Sequence, residues 1–294
     1  MTLLLPGLVI AGLQEEAGQY YQNSQWQQAA ESYQKLLEEQ GDNQQAWYRL
    51  AHAHIELKQG QLALDALNKL PDQSQVPAFM LNYRKAQAYL LLKDSERMWQ
   101  QLDQAAANGF SLLNNVKEPF WDSVRNQQQF SAFSESVDKN ARPCLYEKRN
   151  GLFDFWLGNW AVYGNLEKQG PLFGHNHIEK IENGCLIMEH WKGARGSTGT
   201  SMNYYDGVLD KWVQNWVSAG GTTITTTGGI ENGSMVLTGK IFYVKVAQGP
   251  QVRDFRGTWT LVQEGIVRQF FEESIDGGKT WYTWFEGFYF KQET

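Results

Sequence analysis

The chain has 294 residues, enough for two ordinary domains, and its apolar fraction of 42% and aromatic fraction of 14% exclude wholesale disorder. A net charge of -6 and an isoelectric point near 5.5 argue against a nucleic-acid partner, which would need a basic face to neutralise phosphates. The composition breaks at Pro143: six of the 28 glycines and four of the 12 tryptophans precede it, and the others follow. Helices followed by strands, in two domains at 15–143 and 144–294, are the expectation.

The first stretch, residues 1–14, is apolar but too short to span a bilayer, so no transmembrane segment is expected. It reads either as a signal-like segment, with Val9 and Ala11 as small residues before a cut, or as an apolar first helix. The first alternative places the protein in the periplasm or outside the cell, and the second allows the cytoplasm.

Residues 15–107 repeat. Ala17, Tyr20, Trp26, Ala29, Tyr33 and Leu36 return as Ala51, His54, Gly60, Ala63, Leu67 and Leu70, with Ala29 and Ala63 34 residues apart, and the second copy also carries Trp47 and Leu50. A third copy holds Tyr83, Ala86, Tyr89, Met98, Leu102 and Ala105, one residue further on. Small residues where paired helices touch and larger ones between pairs resemble tetratricopeptide repeats. That resemblance implies a surface for a protein or peptide partner. The segment after the third copy, with Phe120, Val124, Phe130 and Phe133 at helical spacing, is expected to cap the last apolar face. His52 and His54 fall on different helix faces and read as packing or surface residues.

From residue 153 onward, short alternating segments are divided by glycine turns at 182–184, 205–207, 219–221, 231–233, 263–265 and 276–278. Eight to ten antiparallel strands closing into a barrel would leave no exposed edge. Parity then proposes an interior. Glu189 and Trp191, Ser201 and Asn203, Gln214 and Trp216, and Arg268 and Glu272 each share one strand face. Aromatics mixed with hydrogen-bonding groups suit a wet or ligand-filled barrel better than a dry core. In that arrangement Arg268 is expected to pair with Glu189 or Glu272, because a lone buried charge is costly. The opposite parity would put Met188, Met202, Val213 and Val217 inside.

The motifs "FDFWLGNW", "IENGCLIMEHW", "GTSMNYYD", "KWVQNWV", "VRQFFEESIDGGKTW" and "FEGFYF" together resemble a bacterial family of lipocalin-like, calycin-type β-barrels over about residues 144–292. Many of its members follow a secretion signal, and some follow tetratricopeptide repeats. The resemblance implies a fold rather than a reaction, with "FDFWLGNW" as first strand and its rings closing the barrel floor. "SIDGGKTW" also fits a sialidase Asp-box, but a single copy reads as a hairpin held by Asp276.

Motif chemistry is sparse. Cys144 and Cys185 are the only cysteines, so a zinc site built on cysteine pairs is excluded. In an exported chain they would form one disulfide, and in a cytosolic one they would be buried thiols. His175 and His177 share a strand face that His190 could join, and these read as surface histidines rather than metal or haem ligands. No nucleophile elbow, P-loop or dinucleotide fingerprint occurs, and no cofactor or metal is expected. Glu189 and Glu272 would serve as an acid–base pair if the barrel joined them. Three functions follow in order: a small, partly apolar ligand held in the barrel beside a docking domain; a cyclase- or isomerase-like enzyme in the same pocket; and a scaffold whose barrel is filled by its own side chains.

Overall fold

A computed structural model describes residues 6–293 apart from 72, 245, 246 and 248, with side chains from residue 12 onward. Residues 1–5 of the signal-like segment lie outside the described residues. Residues 6–14 fall in the first helix. The chain divides into two compact units, Met1–Ala141 and Arg142–Thr294.

The first unit is built from helix hairpins: α1 (Pro6–Gln22) with α2 (Trp26–Glu39), α3 (Gln44–Glu56) with α4 (Gly60–Leu67), and α5 (Ala78–Leu91) with α6 (Ser95–Ala107). The turns within the hairpins are copies of one another. Ser24, Lys58 and Lys93 adopt left-handed φ values of 56°, 61° and 59°. The next amide then donates back to a carbonyl five residues earlier: Gln25 to Tyr20, Gln59 to His54 and Asp94 to Tyr89. This closes each helix end without a glycine.

Small residues let the helices approach one another. A Cβ on Gly60 would stand 2.8 Å from the Ala88 carbonyl oxygen. Ala29, Ala63 and Met98 are fully buried at equivalent positions, the methionine filling space that alanine leaves in the other two copies.

The capping segment departs from a continuous helix. It forms α7 (Leu113–Val116), a 3-10 turn at Pro119–Trp121 and α8 (Gln128–Ala141). Pro119 breaks the pattern, so Trp121 rather than Phe120 is driven fully inside, beside Phe110, Phe130 and Phe133.

The second unit is a closed antiparallel barrel in which each strand pairs with its sequence neighbours and β1 closes on β10. The strands are β1 (Gly158–Tyr163), β2 (Gly174–Ile181), β3 (Leu186–Gly193), β4 (Thr198–Asp206), β5 (Lys211–Ser218), β6 (Thr223–Glu231), β7 (Ser234–Tyr243), β8 (Gln251–Gln263), β9 (Ile266–Ser274) and β10 (Tyr282–Lys291). The glycine turns of the sequence fall between them, with Gly221, Gly233, Gly265, Gly277 and Gly278 at positive φ. Asp276 holds the β9–β10 turn, accepting from the Lys279 and Thr280 amides and from the Ser274 hydroxyl.

One end of this barrel is plugged by the chain that precedes β1. Residues 154–156 form a 3-10 turn rather than strand, which delivers Phe153 and Trp156 beneath the sheet. Phe153 stacks on Trp156 at 4.9 Å and meets Trp212 and Trp259 edge-on. All four rings are essentially inaccessible to solvent.

Candidate functional site

At the opposite end, the barrel interior stays open. Its walls are large rings laid flat against the sheet, and glycines on the same face make the room. A Cβ on Gly199 of β4 would lie 2.0 Å from the Trp216 ring of β5, and one on Gly174 would lie 2.8 Å from the Trp191 ring. Gly287 plays the same part under Phe285, at 2.7 Å. Because an added methyl cannot share that space, the glycines hold the rings back from the barrel axis. A cavity of about 450 Å³ remains, walled by Trp191, Trp216, Ile224, Phe271 and Phe285. Residues 171–173, Arg195 and Trp284 frame its mouth.

The deep end is polar. Glu189 accepts from the Asn176 amide and the Ser201 hydroxyl, both at 2.7 Å. Asn203 donates to the Ser201 oxygen at 2.8 Å, and Gln214 donates to the Asn203 carbonyl oxygen at 2.8 Å. Gln269 accepts from the Trp259 indole at 2.9 Å. Glu189, Gln214, Gln269 and Tyr289 reach the cavity surface. Burial pushes the Glu189 carboxyl up to about 7, against the pull of its hydrogen bonds from Ser201 and Asn176. Burial, with the nearby Glu189, also raises the Tyr289 hydroxyl well above its ordinary range, so it stays a neutral phenol. Asn176 Oδ1 and Thr226 Oγ1 are buried without a hydrogen-bond partner.

Six of the eight residues expected inside do face the interior. Glu189, Trp191, Gln214 and Trp216 line the cavity, while Ser201 and Asn203 stand behind it as the supports of Glu189.

Arg268 and Glu272 do not join them, and the β9 parity is the reverse of the one expected. Val267, Gln269 and Phe271 point inward. Arg268 pairs with Glu286 at 2.7 Å and Glu272 with Arg256 at 2.7 Å, all on the outer face. The physical reason is cross-strand pairing. Arg256 stands directly opposite Glu272 in the β8–β9 register, so both charges are met in partial contact with water instead of in the core. Arg268 therefore pairs with neither Glu189 nor Glu272, and the Glu189–Glu272 acid–base pair is not formed.

Gln269, Phe271, Ile224, Phe285, Tyr289 and Arg195 are site residues that the strand patterns did not single out. One signal was present for two of them. In "FEGFYF", Phe285, Gly287 and Tyr289 alternate on one face, the same pairing of ring and glycine that seats Trp216 on Gly199.

The histidines of β2 and β3 lie on the outer face. His177 and His190 stand opposite each other, and His190 bonds the Glu179 carboxylate at 3.1 Å. Among the described residues no group of three histidine, cysteine or acidic side chains is placed to hold a metal ion. In the first unit His54 is buried against Gln59, and His52 packs with Tyr21 and Trp26. Cys144 and Cys185 are joined by a disulfide that ties the floor segment to the β2–β3 turn.

The tetratricopeptide repeat family profile matches residues 20–88, within the first unit. No curated protein matches the chain. The protein thus combines an N-terminal tetratricopeptide-type helical repeat, a module suited to protein interaction, with a closed ten-stranded barrel able to accept a ligand.

Proposed function

We propose that the barrel is a binding protein for a small, partly apolar molecule, and that the helical repeats dock it to a protein or peptide partner. The cavity carries this reading. Its volume of about 450 Å³ lies within the range of small-molecule sites, and flat rings surround a few convergent polar groups. A scaffold filled by its own side chains would have no use for glycines that hold Trp191 and Trp216 away from the axis. The enzyme reading is less well supported. The hydrogen-bond partners of Glu189 are an amide and a hydroxyl, the nearby Tyr289 is held as a neutral phenol, and Glu272 faces away.

The meander topology with one plugged and one open end supports kinship with the lipocalin-like bacterial barrels. The Cys144–Cys185 bridge supports export to an oxidising compartment.

Native mass spectrometry of freshly purified protein tests the binding reading. A retained small molecule is expected for the wild type. Gly199→Ala, which drives the Trp216 ring into the cavity, is expected to lose it while keeping the barrel's circular dichroism. A wild type that shows only the mass of the bare chain, after exposure to apolar small molecules at saturating concentration, would refute the reading.

A further inference from the structure

The cavity has an ionisable group at each end, a buried carboxyl and an exposed guanidinium. Glu189 is at the closed end, 4% exposed and already holding two donors. Arg195 is at the mouth, exposed in the β3–β4 turn, and among the described residues it takes part in no ion pair or hydrogen bond. From Glu189 to Gly193 the strand advances four residues, about 13 Å at the usual rise. Between the two lie Trp191, Trp216, Phe271 and Phe285, which offer flat apolar surface and no charge.

An anionic group cannot settle at the closed end, where it would meet the Glu189 carboxyl in a desolvated space. The polar atoms there (the Gln214 and Gln269 amides, the Tyr289 hydroxyl and Glu189 itself) instead ask for an uncharged group able to give and take hydrogen bonds. At the mouth the guanidinium is free to take a carboxylate while staying in water.

We propose that the ligand is a flat amphipathic acid bound head-outward: an uncharged hydroxyl or carbonyl group at the closed end, an aromatic or conjugated body between the tryptophans, and its anionic group on Arg195. This rests on the reading of the barrel as a binding protein and adds to it the class of ligand and its direction.

Three rod-shaped probes separate the contributions: para,para′-hydroxybiphenylcarboxylate, biphenyl-para-carboxylate and para-hydroxybiphenyl. Affinities are read from quenching of tryptophan fluorescence at low ionic strength in the full chain and in Arg195→Gln, whose exposed turn position leaves the fold undisturbed. The hydroxy acid is expected to bind tightest, with each one-ended probe about fivefold weaker, the worth of one exposed charge-assisted or buried neutral hydrogen bond. Arg195→Gln is expected to weaken both carboxylates about fivefold and leave para-hydroxybiphenyl unchanged. Equal affinity for all three probes, or a loss in Arg195→Gln shared by para-hydroxybiphenyl, would overturn the assignment while leaving the barrel a binding protein. If none of the probes binds, the binding reading itself falls and takes this inference with it.

Discussion

Glu189 shows how one buried side chain can set a pH dependence. Its folded carboxyl keeps its proton up to about pH 7, whereas an unfolded one releases it near 4.5. Between those values the folded state binds more protons than the unfolded state, so stability falls as pH rises through the window. The contribution is fully present below about 4.5 and is lost above about 7. A shift of this size corresponds to about 3 kcal/mol. Glu189→Gln keeps an oxygen for Asn176 and turns an amide toward Ser201, whose oxygen can accept. The variant is expected to be more stable than the wild type at pH 8, by roughly 1–3 kcal/mol, and nearly indifferent to pH between 5 and 8. Urea unfolding at the two pH values measures it, and a wild-type stability that climbs across this window would contradict the assignment. By contrast, the Arg268–Glu286 pair is about one-third exposed on both sides, and its loss should cost under about 1 kcal/mol.

Among the elements, the floor segment is the one that the barrel least resembles and most depends on. Residues 142–157 make three short 3-10 turns, at Pro143–Leu145, Lys148–Gly151 and Asp154–Trp156. They are fastened by the Cys144–Cys185 bridge, by the Trp212 indole donating to the Arg149 carbonyl, and by Lys180 bonded to the Asn150 carbonyl and the Asp154 carboxylate. These ties hold Phe153 and Trp156 under the barrel. Replacing both cysteines with serine frees a loop spanning 41 residues in the unfolded chain and is expected to cost about 2–4 kcal/mol. The near-ultraviolet signal of the buried tryptophans should persist at low temperature and melt earlier than in the wild type. Unchanged melting would show that the aromatic packing alone fastens the floor. The "FDFWLGNW" motif was legible as a ring-rich start to the barrel. That its first rings arrive on a turn rather than a strand was not, because period-two alternation cannot distinguish a strand from a plug.

At the scale of the whole molecule, the chain divides between Ala141 and Arg142, and each unit has its own apolar core. The barrel core draws only on residues from Phe153 onward. Residues 142–294 expressed alone are therefore expected to fold, with a cooperative thermal transition and the dispersed aromatic signals of packed tryptophans. A fragment that unfolds without a transition would show that the helical unit is needed to complete the barrel.

The architecture is legible in the chain alone. A 34-residue recurrence and a succession of glycine turns are local signals, written in residues near one another in the chain, and they specify helix hairpins and an antiparallel meander. The interior parity of β3, β4 and β5 was legible because one face of each joins hydrogen-bonding groups to neighbours such as Trp191, Asn203 and Trp216, while the other carries Met188, Met202, Val213 and Val217. On β9 both faces carry rings and polar groups, and only the register with β8 and β10 decided that Arg268 and Glu272 should find Glu286 and Arg256 outside. Whether the interior is a cavity or a plug was likewise a tertiary matter. It turned on Gly174 and Gly199 lying under the rings of Trp191 and Trp216, residues of neighbouring strands that touch only once those strands have paired in register.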